Sequence, residues 1–500
     1  MPDVLVVGAG PVGLTLALQA HRHGASVRIV ERRAEPFRPS RALIVQPRTL
    51  EVLQPLGVVP ALMARSDIAP RARLHVGANT VPVEIGPFGW RDTAFPHLTM
   101  ITQMNVETVL AAALAERGVP IEWGTELASL TDEGSRMRVR LGTTDGYAEE
   151  TCAFLAGCDG ADSTARRLAG IGWRGRPYRQ EIVLADLDLS GDLQPGVAHV
   201  VVARSGVVFV FALGERARWR LLVARPGGDG PDAPGIDELQ AVLDDSGLGA
   251  RITRMAWSSR VRLRHGVATT YRRGRVLLAG DAAHTHSPAA AQGMNTGIQD
   301  AANLGWKLAF AGRGRDATAL LDSYETERRP VAGRILALTD AVFWGESAGG
   351  TAGLLRGLLA PLAAPVLPLM LRAPGLLSLG GRMLSQLWVR YPTGPAATDE
   401  WPTADRLPRP GARLPDDSVV CGNERLPVHR LLERPGVHVL LQRDAADPRL
   451  SRPGPYVHVH RLADRVGGGV VAVRPDGYVG YRCGTVDDRL PAWLARVGAL

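Results

Sequence analysis

Three short stretches concentrate the residues able to do chemistry. GAGPVG follows the apolar run Val4 to Val7 and spaces Gly8, Gly10 and Gly13 as G-x-G-x-x-G. CDGADSTA sets Asp159 and Gly160 after a second apolar run. VLLAGDAAHTHSPAAAQGMN sets Gly280 and Asp281 after a third, then two histidines, a proline and a string of small residues. The first stretch is suited to phosphate. Gly8 permits a tight turn, Gly10 lets backbone approach a pyrophosphate, and Gly13 lets the next helix pack on the strand. Free N–H groups at that helix start then face the phosphates. A second apolar strand, Val27 to Val30, closes at Glu31, whose carboxylate can accept hydrogen bonds from an adenosine ribose.

The competing chemistries lack their residues. His284 and His286 stand two apart with no carboxylate or third histidine at a ligand spacing, so no metal site is expected. Ser287 has no G-x-S-x-G elbow around it, which argues against a hydrolase. The elements positioning the three stretches are parallel strands followed by helices. In a doubly wound sheet such strand ends converge, and ligands lie beyond their carboxyl ends. One ligand touching all three ends has to be long. FAD is; NAD would leave the third end unexplained.

With these motifs in hand the chain resembles the group A flavin-dependent aromatic hydroxylases, of the p-hydroxybenzoate hydroxylase fold. The resemblance rests on GAGPVG with Glu31-Arg32, SRALIVQPRTLEVLQPLG (40–57), Gln103 in ITQMNVETVL, CDGADSTARR (158–167), and GRVLLAGDAAH with GMNTGIQDAANLGWKLA (274–309). SQLWVRYP (385–392), RPGARLPD (409–416) and VRPDGYVGYR (473–482) are similar to phrases in the branch acting on polyketides and phenols, whose last hundred or so residues form a thioredoxin-like domain. The fold expected is therefore α/β: a Rossmann-like FAD domain, a β-sheet substrate domain and a C-terminal thioredoxin-like domain. This chain has no C-x-x-C, so thiol redox is not expected of the last domain.

The resemblance implies that Gly8, Gly10, Gly13, Glu31 and Arg32 hold the ADP portion of FAD. It implies Arg41 and Gln103 at the ribityl or pyrophosphate region, and Leu127 beside the adenine through its backbone. Asp159 falls in a motif that the family uses for FAD and for the nicotinamide cosubstrate, NADPH or NADH. Asp281 is expected on the ribityl hydroxyls, since a carboxylate accepts from hydroxyls without a positive partner. Pro288, Gly293, Met294 and Asn295 are expected against the isoalloxazine, where a helix N-terminus would stabilise negative charge on the reduced ring. One departure stands out. The family usually carries Gly-Gly before Gln-Gly, and this chain has Ala290-Ala291. If either position needs a positive φ, alanine costs about 1 kcal/mol or more.

The activity implied is NAD(P)H- and O₂-dependent hydroxylation of a phenolic or polycyclic aromatic compound, of polyketide or antibiotic type, through a C4a-hydroperoxyflavin. Baeyer–Villiger oxygenation of a polyketide ketone, a non-oxygenating FAD reductase and a flavin-holding binding protein remain alternatives. No catalytic base is named; Arg41 and His97 are candidates from their place near the expected pocket. Phe209 and Phe211 share a face of one alternating strand, and Trp219 and Leu221 share a face of the next. They line a substrate pocket or pack a core, because period two does not say what covers a face.

Composition bounds the rest. At 500 residues, with 45% hydrophobic and 22% charged, the chain reads as an ordinary multidomain globular protein. The net charge of +8 sits almost wholly on arginine, Lys307 being the single lysine, and no like-charge block suggests a nucleic-acid arm. Cys152, Cys158, Cys421 and Cys483 form no disulfide framework, which favours a reducing, cytoplasmic setting. GLLAPLAAPVLPLML (357–371) is too short and too proline-rich for a membrane span and reads as buried or interfacial helix. The FAD domain is expected from residues 1–70, 98–169 and 270–345, and the substrate domain from 71–97 and 171–269. A helical bridge over 346–400 and the thioredoxin-like unit over 401–500 complete the chain; oligomeric state is left open.

Overall fold

The computed structural model describes residues 1–36, 42–68, 70–76, 79–84, 86–202, 206–213, 218–227, 233–287, 291–313, 317–347, 374–401, 408–448 and 454–500. Arg41, Pro288 and Ala290 lie outside the described residues, as does the stretch 357–371.

A six-stranded sheet forms the heart of the first unit. In spatial order it runs β17 (Arg272–Arg273), β18 (Val276–Leu278), β11 (Phe154–Gly157), β1 (Val4–Val7), β2 (Val27–Glu31) and β7 (Ile121–Trp123). The inner strands are short, apolar and fully buried, as parallel strands covered on both faces must be. They come from distant parts of the chain, yet β18, β11, β1 and β2 lie parallel and in register. Their carboxyl ends therefore share one edge. Helix α1 (Pro11–Arg22) leaves β1 there, with proline in its first turn, where a missing N–H costs nothing. Short helices α2 (Pro47–Leu53) and α3 (Val59–Met63) follow, then α4 (Gln103–Glu116), capped by Thr102. A small pair, β3 (Ile44–Val45) with β6 (Thr99–Met100), and a meander of β8 (Glu126–Asp132), β9 (Met137–Thr143) and β10 (Gly146–Cys152) complete this unit's strands.

The second sheet has eight strands. Its order is β19 (His284–Thr285), β16 (Arg251–Ala268), β12 (Trp173–Ser190), β15 (Trp219–Pro226), β14 (Val207–Ala212), β13 (Val197–Val202), β4 (Arg71–Val76) and β5 (Asn79–Glu84). The edge strand β19 belongs to the third motif, so the sheet is hydrogen-bonded to the segment expected at the flavin. Helix α5 (Thr164–Leu168) comes just before β12 in the chain, and α6 (Ile236–Ser246) covers one of the sheet's faces with Leu239 and Leu243. Phe209 stands opposite Leu222 and Phe211 opposite Arg220, whereas Trp219 and Leu221 pair with Ala212 and Val210. The two readings left open for these residues, pocket or core, divide between the strands. Trp219 and Leu221 are buried in the core under α6, and Phe209 and Phe211 point to the other face, half-buried with parallel rings 5.8 Å apart.

Helix α7 (Gly293–Ala311) is buried along nearly its whole length between α1 and α8 (Ala317–Ser347). Only part of the expected helical bridge is helical among the described residues: α8 runs to Ser347, α9 spans Pro374–Leu384, and 385–397 form no helix. The last unit is a seven-stranded mixed sheet, β20 (Thr398–Asp399), β26 (Val479–Cys483), β25 (Val470–Val473), β23 (Val437–Gln442), β24 (Val457–Leu462), β21 (Ser418–Cys421) and β22 (Glu424–Pro427), with helix α10 (Arg489–Arg496) packed through Leu490, Trp493 and Leu494.

The three tail phrases singled out in the sequence are those that grip the first unit. In SQLWVRYP, Gln386 bonds Gln292 and Thr296 of the α7 start and receives a bond from Gln299, while the Tyr391 hydroxyl accepts from Arg328. In RPGARLPD, Arg413 makes a bidentate pair with Glu51 of α2. In VRPDGYVGYR, Arg474 pairs with Glu327 and Asp476, and Lys307 donates to Glu327 at 2.7 Å. Every one of these charged groups is buried. Burial alone would raise the Glu327 carboxyl; Arg474 and Lys307 outweigh it and hold it down to about 2. Arg413 and Arg48 do the same for Glu51.

Candidate flavin site

The three motifs meet. Gly8 ends β1 at φ 103°, and a β-carbon on it would stand 2.4 Å from the carbonyl oxygen of Cys158, in the second motif. A β-carbon on Gly13 would strike the Gly8 carbonyl at 1.9 Å. Gly280, at φ 60°, abuts Val12 of α1. Gly10 differs: a β-carbon there meets nothing within 4 Å. It caps α1 without any side-chain hydrogen bond, so the helix start opens onto free space. Two glycines of the motif are thus required by packing, and the third is left for something the protein itself does not supply. That is the shape a pyrophosphate needs.

Glu31 closes β2, buried, and accepts hydrogen bonds from the N–H of Ala9 at 2.9 Å and from the N–H and guanidinium of Arg33. Burial would raise its carboxyl, but those bonds hold it below the ordinary range. Arg32, expected with Glu31 on the ADP portion, is exposed, and its neighbour Arg33 makes an ion pair with Glu31. The strand β8 segment docks on the same corner, Thr125 N–H donating to the Glu31 carbonyl, which brings buried Leu127 near the expected adenine end. Gln103 opens α4, its amide donating to Glu107 at 2.8 Å. Asp159 is engaged locally: it accepts from the Ser163 hydroxyl and from the Ala165 N–H, fixing the start of α5. Asp281 sits exposed just beyond β18, on the shared edge.

Helix α7 opens where the sequence reading expects the ring end. Its first residues are Gly293, Met294 and Asn295, and no side chain caps its N-terminus. Asn295 does not face outward. It is buried, accepting from Gln46 N–H and donating to the carbonyls of Ile44 and Ala291, and so ties β3 to the helix start. Ala291 takes φ 52°, so alanine occupies a left-handed position of the kind for which glycine is suited. His97 lies half-buried, its Nδ1 3.1 Å from the Thr99 hydroxyl, and burial lowers its pKa.

Several residues of this region escaped the sequence reading. His284 Nε2 donates to Asp300 at 2.6 Å, and Asp300 also takes a hydrogen bond from Arg328 at 2.6 Å; all three are buried. Burial would raise Asp300, and Arg328 and His284 keep it below its usual value. Beyond Ser287 stand Tyr178, His265 and Asp340: the Tyr178 hydroxyl donates to Asp340, and His265 lies 3.0 Å from that carboxylate. Helical spacing could flag Asp300 within α7. Nothing local joins Tyr178, His265 and Asp340, which meet only when the sheet packs on α8.

Among the described residues no cluster of histidine, cysteine or acidic side chains could hold a metal ion, and no helix is long and apolar enough to cross a membrane. The FAD binding domain family matches residues 1–339, and the chain belongs to that family. It is 39% identical over 369 residues, 73% of its own length, to the 6-methylpretetramide 4-monooxygenase of Streptomyces rimosus, of which the match spans 64%. Its fold is similar to that of OxyS anhydrotetracycline hydroxylase from Streptomyces rimosus (TM-score 0.80, 30% identity, 99% of each chain). It is also similar to aklavinone-11 hydroxylase, solved with FAD and aklavinone (TM-score 0.76, 27% identity, 99% of this chain and 98% of that one). The long dinucleotide read from three strand ends is FAD.

Proposed function

We propose that the chain is an FAD-dependent monooxygenase that hydroxylates a fused-ring aromatic compound, with NADPH or NADH as reductant. One observation carries the substrate side of the reading. The face of the eight-stranded sheet opposite α6 presents a row of apolar side chains across five strands: Leu74, Val200, Phe209, Leu222 and Leu184. Four of the five are only half-buried, and the sheet's edge is bonded to the flavin-side segment through β19. A flat, polycyclic molecule suits such a floor, and Phe209 and Phe211 offer it aromatic faces. The names of the relatives, which concern 6-methylpretetramide, anhydrotetracycline and aklavinone, point to the same class.

Bound FAD supplies hydride acceptance and O₂ activation. The chain's own part is binding and orientation: α1 offers N–H groups to phosphate, Glu31 and Asp281 accept from sugar and ribityl hydroxyls, and α7 directs its positive end at the ring. Arg41 and Pro288 are assigned to the same cofactor through the family likeness, and Arg41 and His97 stay candidates for assisting ionisation of the phenol. The four free thiols suit a reducing cytoplasm. Stopped-flow reduction of the holoenzyme by NADPH and NADH, with and without polycyclic phenols, tests the proposal. The expected result is faster reduction in the presence of a phenol, with a product one oxygen heavier whose NMR spectrum shows a new ring hydroxyl. A lactone carbonyl would make it a Baeyer–Villiger enzyme, and a protein that takes up no FAD would end the reading.

A further inference from the structure

His286 stands in the loop before α7 with one nitrogen accounted for and one not. Its Nδ1 lies 2.9 Å from the carbonyl oxygen of Ser287. A carbonyl only accepts, so Nδ1 carries the hydrogen, and the neutral ring leaves a bare lone pair on Nε2. That Nε2 is shut off from solvent and has no hydrogen-bond partner among the described residues. The Cε1–Nε2 edge faces Gly293: a β-carbon built there would stand 3.6 Å from Cε1 and 4.0 Å from Nε2. A proton acceptor is thus buried beside the first residue of the helix whose N-terminus, in the flavin reading, faces the ring.

An unpaired buried nitrogen is costly, so a ligand or a proton is expected to satisfy it in some state of the enzyme. Burial, with His284 adding to it, pushes the imidazole down to about 4, so it is neutral in the resting protein. The charged and titratable groups facing it are few. His284 lies parallel to it with ring centroids 6.2 Å apart, backed by Asp300 and Arg328. Asp340 approaches from α8, and His265 and Tyr178 from the eight-stranded sheet. Asp340 and His265 are partly exposed. Reduction places negative charge on the flavin, and a cation at Nε2 would then be favoured where it was costly before.

We propose that His286 takes up one proton from solvent when the bound flavin is reduced, and that its Nε2–H then donates toward the reduced ring. The reductant, a nicotinamide or dithionite, supplies both electrons; one hydrogen goes to the flavin, with the hydride or from water, leaving it an anion, and a second proton, from water, forms one N–H bond at Nε2. The inference rests on the flavin reading and is tested apart from it, and without any aromatic substrate.

The measurement is the midpoint potential of the holoenzyme's FAD between pH 5.5 and 8.5, with the absorption spectrum of the reduced form, for the wild type and His286→Phe. Each proton taken up steepens a two-electron couple by about 30 mV per pH unit. The wild type is expected to be steeper than the variant by that amount over at least one pH unit, while its reduced flavin keeps the spectrum of the anion. Equal slopes overturn the proposal, as does an extra proton that appears in the spectrum as neutral reduced flavin. If His286→Phe does not fold, His286→Gln replaces it. The wild type also decides alone, because a one-proton slope across the whole range overturns the idea. A chain that binds no FAD overturns the reading beneath it instead.

Discussion

At the scale of single residues the glycine loop separates into two kinds of position. Gly13 cannot carry a β-carbon without striking the Gly8 carbonyl, whereas Gly10 can. Gly13→Ala is therefore expected to yield little folded protein. Gly10→Ala is expected to keep the fold and its melting temperature without cofactor, yet to lose most of its FAD, since the methyl would occupy the space left for phosphate. Flavin absorbance after desalting, read beside a thermal melt of the apoprotein, checks both. The same logic applies at φ 52° in Ala291. A left-handed alanine costs roughly 1–2 kcal/mol, partly offset by the greater flexibility glycine gives the unfolded chain. Ala291→Gly should raise stability by up to about 1 kcal/mol, seen as a higher melting temperature of the holoenzyme.

At the scale of elements, α7 joins everything. Its first turn is tied to β3 through Asn295, its middle bears Asp300 against His284 and Arg328, and its end bears Lys307 against Glu327. Asp300→Ala would strand a buried guanidinium and a buried imidazole, which costs on the order of 3–5 kcal/mol. Loss of soluble, flavin-loaded protein is the expected outcome, with Asp300→Asn less severe because a polar partner remains; flavin content and the melting midpoint report it. The strands and their glycines were legible in the sequence because parallel strands are continuous apolar runs and tight turns demand glycine. The faces of β14 and β15 were not. Alternation gives which residues share a side within a strand, but only the register between strands puts Phe209 with Leu222 and sends Trp219 under α6. The pairing of Arg33 with Glu31, and the inward turn of Asn295, likewise depend on contacts that no local spacing encodes.

Over the whole molecule, the last hundred residues hold the first unit through buried ions. Glu51 and Glu327 each have carboxyls held down to about 2, against an ordinary value near 4.5. A carboxylate depressed in the folded state contributes stability above its unfolded pKa and loses it as pH falls through the folded one. The contribution of these two carboxylates should accordingly be constant from neutrality to about pH 5, then fall between about pH 4.5 and 2 by a few kcal/mol for each group. Denaturant midpoints across that range check it, and Glu327→Gln should flatten the fall while lowering stability at pH 7. The tail phrases looked like family signatures without evident purpose in the sequence; their polar and charged groups turn out to point inward, at α2, α7 and α8.

Lys307, the only lysine of the chain, is wholly enclosed by this contact, and burial brings its ammonium down to about 8. Amine-acylating reagents therefore find no lysine to modify on the native surface. Acylation at that residue, followed by mass spectrometry over time, would clock how often the tail unit parts from helix α7.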